Sequence, residues 1–484
     1  MMNRANLLPT ALPTALLIAS PTAASRSKRS AGLIVRGAGS SSASAGRAGA
    51  KGRLRQAGQS LFVALGLLLA GGAVLFAMFS AGQVAAAKQR LTDTADAAAY
   101  SAGLWRARVL NYHAYSNRAI IANEVAIAQA VTLVSWARYF ETLTRNAAQF
   151  ATILPAAEAV FAGVAEAAAL ASQAAQVAAE IEVPARGAEA LGYKEILQTS
   201  QEILQLSTQS FGLSMVAAEV ARANDRGLFA WVLPDPGQSW QTFTKRGETE
   251  ADRQRLANLV VASLDGFTGG PRSDEILTPI PSLCFKLMRM RKRGGTALTP
   301  DLQRWEAVDT LSFHLQSLSF FRCRERESIP LGWGAAEAGT EMRSIVQTGS
   351  DVWTNPRANG LASGAMTGVA SYAGIARVRE LDYEQLANAA FPTSGLAVVA
   401  RQAGADVATA ANRTLASGRL LPLDHFAGDS SPHLWALSAA EVYFSRPPGA
   451  PARTEYASLF NPYWQVRLVA PTAAQRGVAQ AYVH

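Results

Sequence analysis

"RQAGQSLFVALGLLLAGGAVLFAMFSAGQVAAAKQRLTDTADAAAYSAG" runs from Arg55 to Gly103, and its reading decides the rest of the chain. After Arg55 no charged residue occurs until Lys88. Leu61–Val84 alone gives 24 uncharged residues. As a helix it would extend about 36 Å, longer than a ~30 Å hydrocarbon core, so it can span a membrane with some tilt. The apolar core of a signal peptide is usually only about 7–15 residues long. "VAAAK" offers small residues for cleavage, so removal stands as the alternative to a permanent anchor. Beyond Lys88 the stretch turns into a polar, Ala-rich helix.

Charge is distributed unevenly around this segment. Residues 1–60 carry Arg4, Arg26, Lys28, Arg29, Arg36, Arg47, Lys51, Arg53 and Arg55, and the first acidic residue is Asp93. With these nine set aside, the remaining 36 Lys and Arg balance the 36 Asp and Glu, so the net charge of +9 resides in the N-terminal flank. A basic flank beside a hydrophobic span is the pattern of a cytoplasmic side. A nucleic-acid-binding domain would concentrate charge on a folded face, so no nucleic acid partner is expected. The predicted arrangement is a single-pass anchor in a bacterial inner membrane, with residues 1–56 cytoplasmic and residues 88–484 periplasmic. Apolar residues make up 49% of the 484, ample for a sizeable core. A mean hydropathy of +0.08 argues against several spans.

Ahead of the span, Leu7–Ser25 is a weaker apolar stretch broken by Pro9, Pro13 and Pro21. The Gly/Ser/Ala-rich run after it reads as disordered. This extension is read as dispensable, with a second targeting signal as the alternative.

The run of basic residues, Gly58-Gln59, an apolar span, and then Lys88, Leu91, Ala95, Asp96, Ala97, Ala98 and Ala99 resembles a known module. It is the N-terminal module of TadG-like proteins of the Tad (tight adherence, Flp pilus assembly) family. The resemblance is carried by residues 55–103 and continues through "LNYHAYSNRAIIANEVAIAQ" (Leu110–Gln129). It implies a membrane-anchored accessory protein with other pilus-assembly subunits as partners. The pseudopilin relatives are cut after a Gly and carry a Glu five residues on. Counted from Gly58, that position is Val63, and no acid lies nearby. Other TadG-like proteins carry a von Willebrand A domain, whose metal site needs Asp-x-Ser-x-Ser. "GDSSPH" (Gly428–His433) has other spacing and "SDVWTN" (Ser350–Asn355) lacks both serines.

Past the span, Leu91, Ala95, Ala98, Ala102 and Trp105 recur at three- and four-residue steps, predicting a helix over 88–150. Its apolar stripe would face either the next helices along the chain or partner subunits. Pro155 interrupts. Ala156–Ile181 and Tyr193–Asn224 read as two more helices, separated by Pro184 and Gly187, and together these predict an elongated helical bundle. Ile196, Ile203, Leu206, Leu213, Val216 and Val220 fall near a coiled-coil repeat, which would also suit a homo-oligomer. "WVLPDPGQSW" (Trp231–Trp240) reads as a boundary.

Beyond it, Thr249–Leu264 reads as a helix. "CFKLMRMRKRGG" (Cys284–Gly295) reads as a strand ending in a Gly-Gly hairpin turn. Strands are also predicted in Thr310–Phe321, Gly374–Leu381, Gly395–Gln402, Leu434–Pro448 and Tyr463–Pro471. The fold class is α+β with a mostly antiparallel sheet. The predicted divisions are a basic tail (1–56), an anchor (57–87), a helical stem (88–230) and a distal α+β domain (231–484).

Chemistry-bearing residues are sparse. Cys284 and Cys323 can form one disulfide if exported, or remain two buried thiols. Two Cys without nearby His cannot close a zinc site. His113 reads as a packed or surface helix residue, and His314 as lying on the solvated face of its strand. His425 and His433, with Asp424 and Asp429 nearby, are the best candidates for a metal or acid–base cluster. His484 ends the chain. No phosphate loop, HExxH or GxSxG motif occurs, and "GWGAAEAG" (Gly332–Gly339) lacks a following Lys-Ser/Thr. Lys286, Arg289, Arg291, Lys292 and Arg293 read as a solvated hairpin face or a grip for anionic lipid or an acidic partner. "FNPYWQVRL" (Phe460–Leu468) reads as a core strand or a partner patch. The predicted function is a non-enzymatic accessory component of a Tad/Flp-type pilus assembly or secretion system, held by inner-membrane lipid, with no cofactor. The alternatives are an anchored periplasmic enzyme and a processed pseudopilin.

Overall fold

A computed structural model describes residues 57–153, 183–234, 240–281, 287–319, 322–339, 354–364, 367–370, 372–383, 392–408, 433–446 and 456–483. The chain divides into two units, Met1–Ala70 and Gly71–His484. In the first, residues 57–70 are helical. Its large side chains from Leu61 to Leu69 are 53–76% exposed. Helix α1 (Ala57–Ile153) contains residues of both units, and every other described element belongs to the second.

No proline occurs from Ala57 to Ile153, and alanine, the strongest helix former, recurs throughout. The described part of the helix ends at Ile153. Then come α2 (Val183–Ser207), α3 (Ser210–Asn224), β1 (Leu228–Val232), β2 (Thr244–Arg246), α4 (Glu250–Ala262) and a one-turn α5 (Gly266–Gly269). Thr249 caps α4, its side chain accepting from the Asp252 N–H. Next are the strands β3 (Asp274–Pro281), β4 (Leu287–Leu298), β5 (Trp305–Ser319) and β6 (Arg322–Gly339). Last are α6 (Pro356–Gly364), β7 (Thr367–Ala370), β8 (Arg379–Leu381), β9 (Ser394–Ala403), β10 (His433–Phe444), β11 (Trp464–Val469) and α7 (Ala473–Val483).

The strands form three sheets. A four-stranded sheet is ordered β1-β9-β10-β11 and is antiparallel throughout. A five-stranded sheet is ordered β3-β4-β5-β6-β7, with only β6-β7 parallel. β2 and β8 make a small antiparallel pair. The α+β class with mostly antiparallel sheets is as the sequence indicates.

α1 runs through all of these layers. Leu91, Ala95, Ala98, Ala99 and Ala102 are fully buried against α3 (Leu213, Ala217, Ala221) and the four-stranded sheet (Leu228, Ala230, Leu396, Val398, Ala436). Leu110 joins an aromatic cluster of Trp240, Phe243, Phe444 and Trp464. Ile120, Ile127, Val131 and Val134 pack with α4 and with Trp305, Ala307 and Ala336 of the five-stranded sheet. Tyr139 and Leu143 meet Met290, Leu311, Phe313 and Leu331. The apolar stripe of α1 is thus covered by sheets as well as by helices, which its periodicity alone could not indicate. "GWGAAEAG" closes β6 as a strand. A Cβ on Gly334 would overlap the Ser135 carbonyl and the Tyr139 amide, and one on Gly332 would sit 2.9 Å from Leu143 Cβ. These two glycines let the helix backbone lie directly on the strand.

Four local expectations are corrected. Gly294-Gly295 is not a turn, because β4 pairs with β5 straight through it. A Cβ on Gly294 would collide with the Asp309 carboxylate, so the glycine clears space for a buried charge. The chain reverses at Thr299–Arg304 instead, where Leu302 adopts a left-handed φ of 59° while its side chain is buried. The helix expected over Tyr193–Asn224 is two helices. They break at Thr208, whose hydroxyl accepts from Trp240 Nε1 (2.9 Å) and whose carbonyl accepts from Arg106 Nε (3.4 Å). The α2 helix also starts earlier than expected, at Val183, with Pro184 tolerated in its first turn. Finally, only Arg379–Leu381 of the segment Gly374–Leu381 is strand.

Candidate functional site

The large apolar side chains of the segment singled out by sequence are exposed, while Ser80 within it is buried. From Val74 to Phe79 the large side chains Val74, Leu75, Phe76, Met78 and Phe79 are 50–69% exposed. A helix that is apolar all round must find an apolar environment. α1 carries the single helix among the described residues long and apolar enough to cross a membrane, and its most apolar stretch is not covered by protein.

The motif past the span is a packing surface. Leu91, Ala95, Ala98 and Ala99 are at 0% exposure, Asp96 is half-buried and Ala97 is exposed. Small side chains here allow α1 to approach both α3 and the sheet. Gly103 serves the same end, since a Cβ there would lie 2.5 Å from Val466 Cγ2. Lys88 sits at the edge of this surface. Its ammonium donates to the Trp435 carbonyl and lies 5.5 Å from the indole centroid, and burial lowers its pKa. Gly58 and Gln59 lie in the first turn of α1.

Sequence reasoning missed a second set of residues on α1. Polar side chains on its buried side bind backbone groups of irregular or edge segments. Asn111 forms an amide pair with the backbone of Trp464, donating to its carbonyl and accepting from its N–H, both at 3.0 Å. Asn117 Nδ2 donates to the carbonyls of Arg379 and Leu459, both at 2.8 Å. Glu124, fully buried, accepts from Tyr372 Oη (2.8 Å) and the Ala376 N–H (3.0 Å) and pairs with Lys194 (3.1 Å). Burial, followed by this carboxylate, pushes the Tyr372 phenol well above its ordinary pKa. Thr142 brackets the backbone of Trp333, and Asn146 donates to the Leu331 carbonyl. The available signal was spacing: Arg106 to His113 and Asn117 to Glu124 are each seven residues apart, a polar repeat inside an apolar stripe.

Beside the helix lies a buried charge network. Asp309 Oδ2 accepts from Ser135 Oγ at 2.9 Å, and its carboxylate pairs with Arg272 (2.9 Å) and Lys292 (2.7 Å). Burial alone would raise the Asp309 pKa. The Lys292 and Arg272 charges outweigh it and hold the carboxyl below its ordinary range.

The basic run is therefore not a free, solvated face. Lys292 is spent on Asp309, Arg291 bonds Glu275 and Glu325, Arg289 bonds Glu275, and Arg293 donates to Thr354 Oγ1. Lys286 lies outside the described residues.

His314 is corrected likewise. Its strand is covered on both sides, so it is 3% exposed and bonds Asn355 Oδ1 at 2.7 Å. His113 is fully buried, bonds Gln205 at 3.2 Å and has an unpartnered Nδ1. Burial lowers its pKa to about 4, with Arg379 adding to the shift. His433 opens β10, while Asp424, His425, Asp429 and His484 lie outside the described residues. Cys323 lies on β6, and Cys284 is outside the described residues. Trp464 is 3% exposed in the aromatic cluster, which makes "FNPYWQVRL" core at that position.

A pocket of about 410 Å³ is lined by Arg255, Asn258, Leu259, Glu380, Tyr383 and Phe460. Its charged groups are joined to one another, Arg255 bridging Glu380 (3.0 Å) and Asp252. Among the described residues no group of three or more His, Cys, Asp or Glu is placed to hold a metal ion.

Residues 58–108 match the family described as "Putative Flp pilus-assembly TadE/G-like". The match takes in Gly58, Gln59, the span and the buried alanines. No curated protein and no solved structure matches the chain.

Proposed function

We propose that this chain, which carries a TadE/G-like domain, is a membrane-anchored accessory component of a Tad/Flp-type pilus assembly or secretion system. It acts by anchoring and by protein–protein contact. One observation carries the reading: the matched residues 58–108 begin at the exposed, uncharged span and end where one face of α1 is buried in the fold. A module built this way joins a membrane to a folded body.

The nine basic residues ahead of the span favour residues 1–56 on the cytoplasmic side of an inner membrane and residues 88–484 in the periplasm. Val63, where a pseudopilin would carry its acid, favours an uncleaved N-terminus. For contacts with other subunits, or with a second copy, the outward stripe Tyr193, Ile196, Ile203 and Leu206 of α2 is the best suited surface. Its members are 53–70% exposed at near-heptad spacing.

In-frame deletion of the gene tests the reading. Loss of Flp pili, restored by the full chain and not by I203D/L206D at equal abundance, is the expected result. Unchanged piliation in the deletion strain would refute it.

A further inference from the structure

The four-stranded sheet carries an aromatic cluster at the margin of its core, where Trp231 and Trp435 are partly buried and Phe229 is exposed. On β1, Phe229 is 52% exposed and Trp231 is half-buried. Arg401 of β9 is paired in register with Phe229, and Trp435 of β10 is paired with Arg401. These four therefore share the outer face of the sheet at one end. The Arg401 guanidinium lies 5.8 Å from the Phe229 ring and 5.7 Å from the Trp231 ring. The other end of the same face is covered by α7, where Ala479 meets Leu233, Ala397, Val399 and Ala439.

The position of this cluster is fixed by Lys88, which bonds the Trp435 carbonyl. Lys88 is four residues past Val84, the last residue of the apolar span. Along a helix that is about 6 Å. The headgroup layer on each side of a bilayer is about 5–7 Å deep. With the span in a membrane, Trp435 and its neighbours are therefore level with the headgroups. Arg90 supports the same level, its Nε turning back to the Ala86 carbonyl at 3.5 Å.

Charge does not select the partner. Lys88, Arg90, Arg226 and Arg401 exceed Asp225 and Asp406, which flank Gly227, by only two charges. Aromatic residues at this depth do select one. Trp, with an apolar ring and one N–H, partitions to the lipid–water boundary.

We propose that Phe229, Trp231, Arg401 and Trp435 form an interfacial belt that seats the four-stranded sheet in the headgroup layer of the membrane that holds the span. The inference rests on the anchoring reading above and adds to it that the folded body touches lipid directly. The belt would fix the tilt and rotation of the sheet with respect to the bilayer.

The test uses the full chain reconstituted in phosphatidylcholine vesicles, with lipid brominated either near the glycerol backbone or near the chain ends. The chain has nine Trp and none lies in Leu61–Val84, so bromine reports only on Trp of the folded body near lipid. Shallow bromine is expected to quench more than deep bromine. W231F/W435F should lose about half or more of that quenching. F229W, which adds an indole, should increase it. Shallow quenching unchanged by both variants, in a protein that resists alkaline carbonate extraction, would overturn the belt and leave the anchor standing; the face then meets water or another subunit. Extraction of the intact chain by carbonate would remove the anchor and the belt together.

Discussion

Two stretches of one helix face opposite demands. Leu61–Val84 has no charge, and its large side chains from Leu61 to Phe79 are all at least half exposed. Leu91–Ala147 has a buried stripe, and the polar side chains interrupting that stripe are Thr94, Arg106, His113, Ser116, Asn117, Glu124, Thr132 and Ser135. Both are built from strong helix formers, so propensity does not separate them. The difference lies in what each must find outside itself. An evenly apolar helix needs a uniform apolar medium. A striped helix with buried hydrogen-bonding groups needs backbone partners at fixed places. The buried half can therefore determine where loops and sheet edges sit, and the exposed half cannot.

That contrast is open to attack by mutation, and the buried charge is the strongest point. Asp309→Ala leaves Arg272 and Lys292 without their carboxylate. Breaking one partner of a buried pair is expected to cost about 3–5 kcal/mol. Denaturant unfolding of the detergent-solubilised protein should show it as a lowered midpoint.

His113 gives the next effect, through pH. Its folded pKa of about 4 lies below the ordinary 6.5. Between these values the unfolded chain binds a proton that the folded chain does not. The stability contribution is therefore complete above pH 6.5 and is lost as pH falls towards 4. The loss is about 3 kcal/mol if the shift is fully expressed. His113→Gln should remove this increment, so the stability difference between the two proteins must change across that window. A difference that stays flat from pH 7 to pH 4 would contradict the burial argument.

Gly334→Ala tests the close approach of α1 to β6. Its methyl has no room beside Ser135 and Tyr139, and overpacking of this kind costs about 1–3 kcal/mol. The same measurement on Leu68→Ala, in the exposed half, should read within about 0.5 kcal/mol of the parent. A large loss there would mean that protein, not lipid, covers the span.

The exposed half was fully legible in the sequence, because length, absence of charge and a basic flank are local properties. So were the helical stripe and five of the eleven described strands, β4, β5, β9, β10 and β11, whose alternation is also local; β1, β2, β3, β6 and β7 were not read as strands. What was not legible depends on partners far along the chain. Gly294-Gly295 looks like a turn until Asp309 is found beside it. Ser312 and His314 look like a wet face until α6 and the Asn355 that precedes it are placed there. Arg289, Arg291 and Lys292 look like a basic patch until Glu275, Glu325 and Asp309 arrive from other strands. The polar residues of α1 were passed over for a related reason. Their partners are mostly main-chain groups of Arg379, Leu459 and Trp464, which carry no signature in residue type.

The central claim is that one uncut helix serves as both anchor and spine. The intact mass of the protein purified from isolated membranes tests it most directly. A mass that retains the basic flank together with Leu61–Val84 is the predicted result. A new N-terminus at Gln59 would make the protein a processed, pilin-like subunit. One near Ala87 would make it a released protein without an anchor, and either would contradict the account.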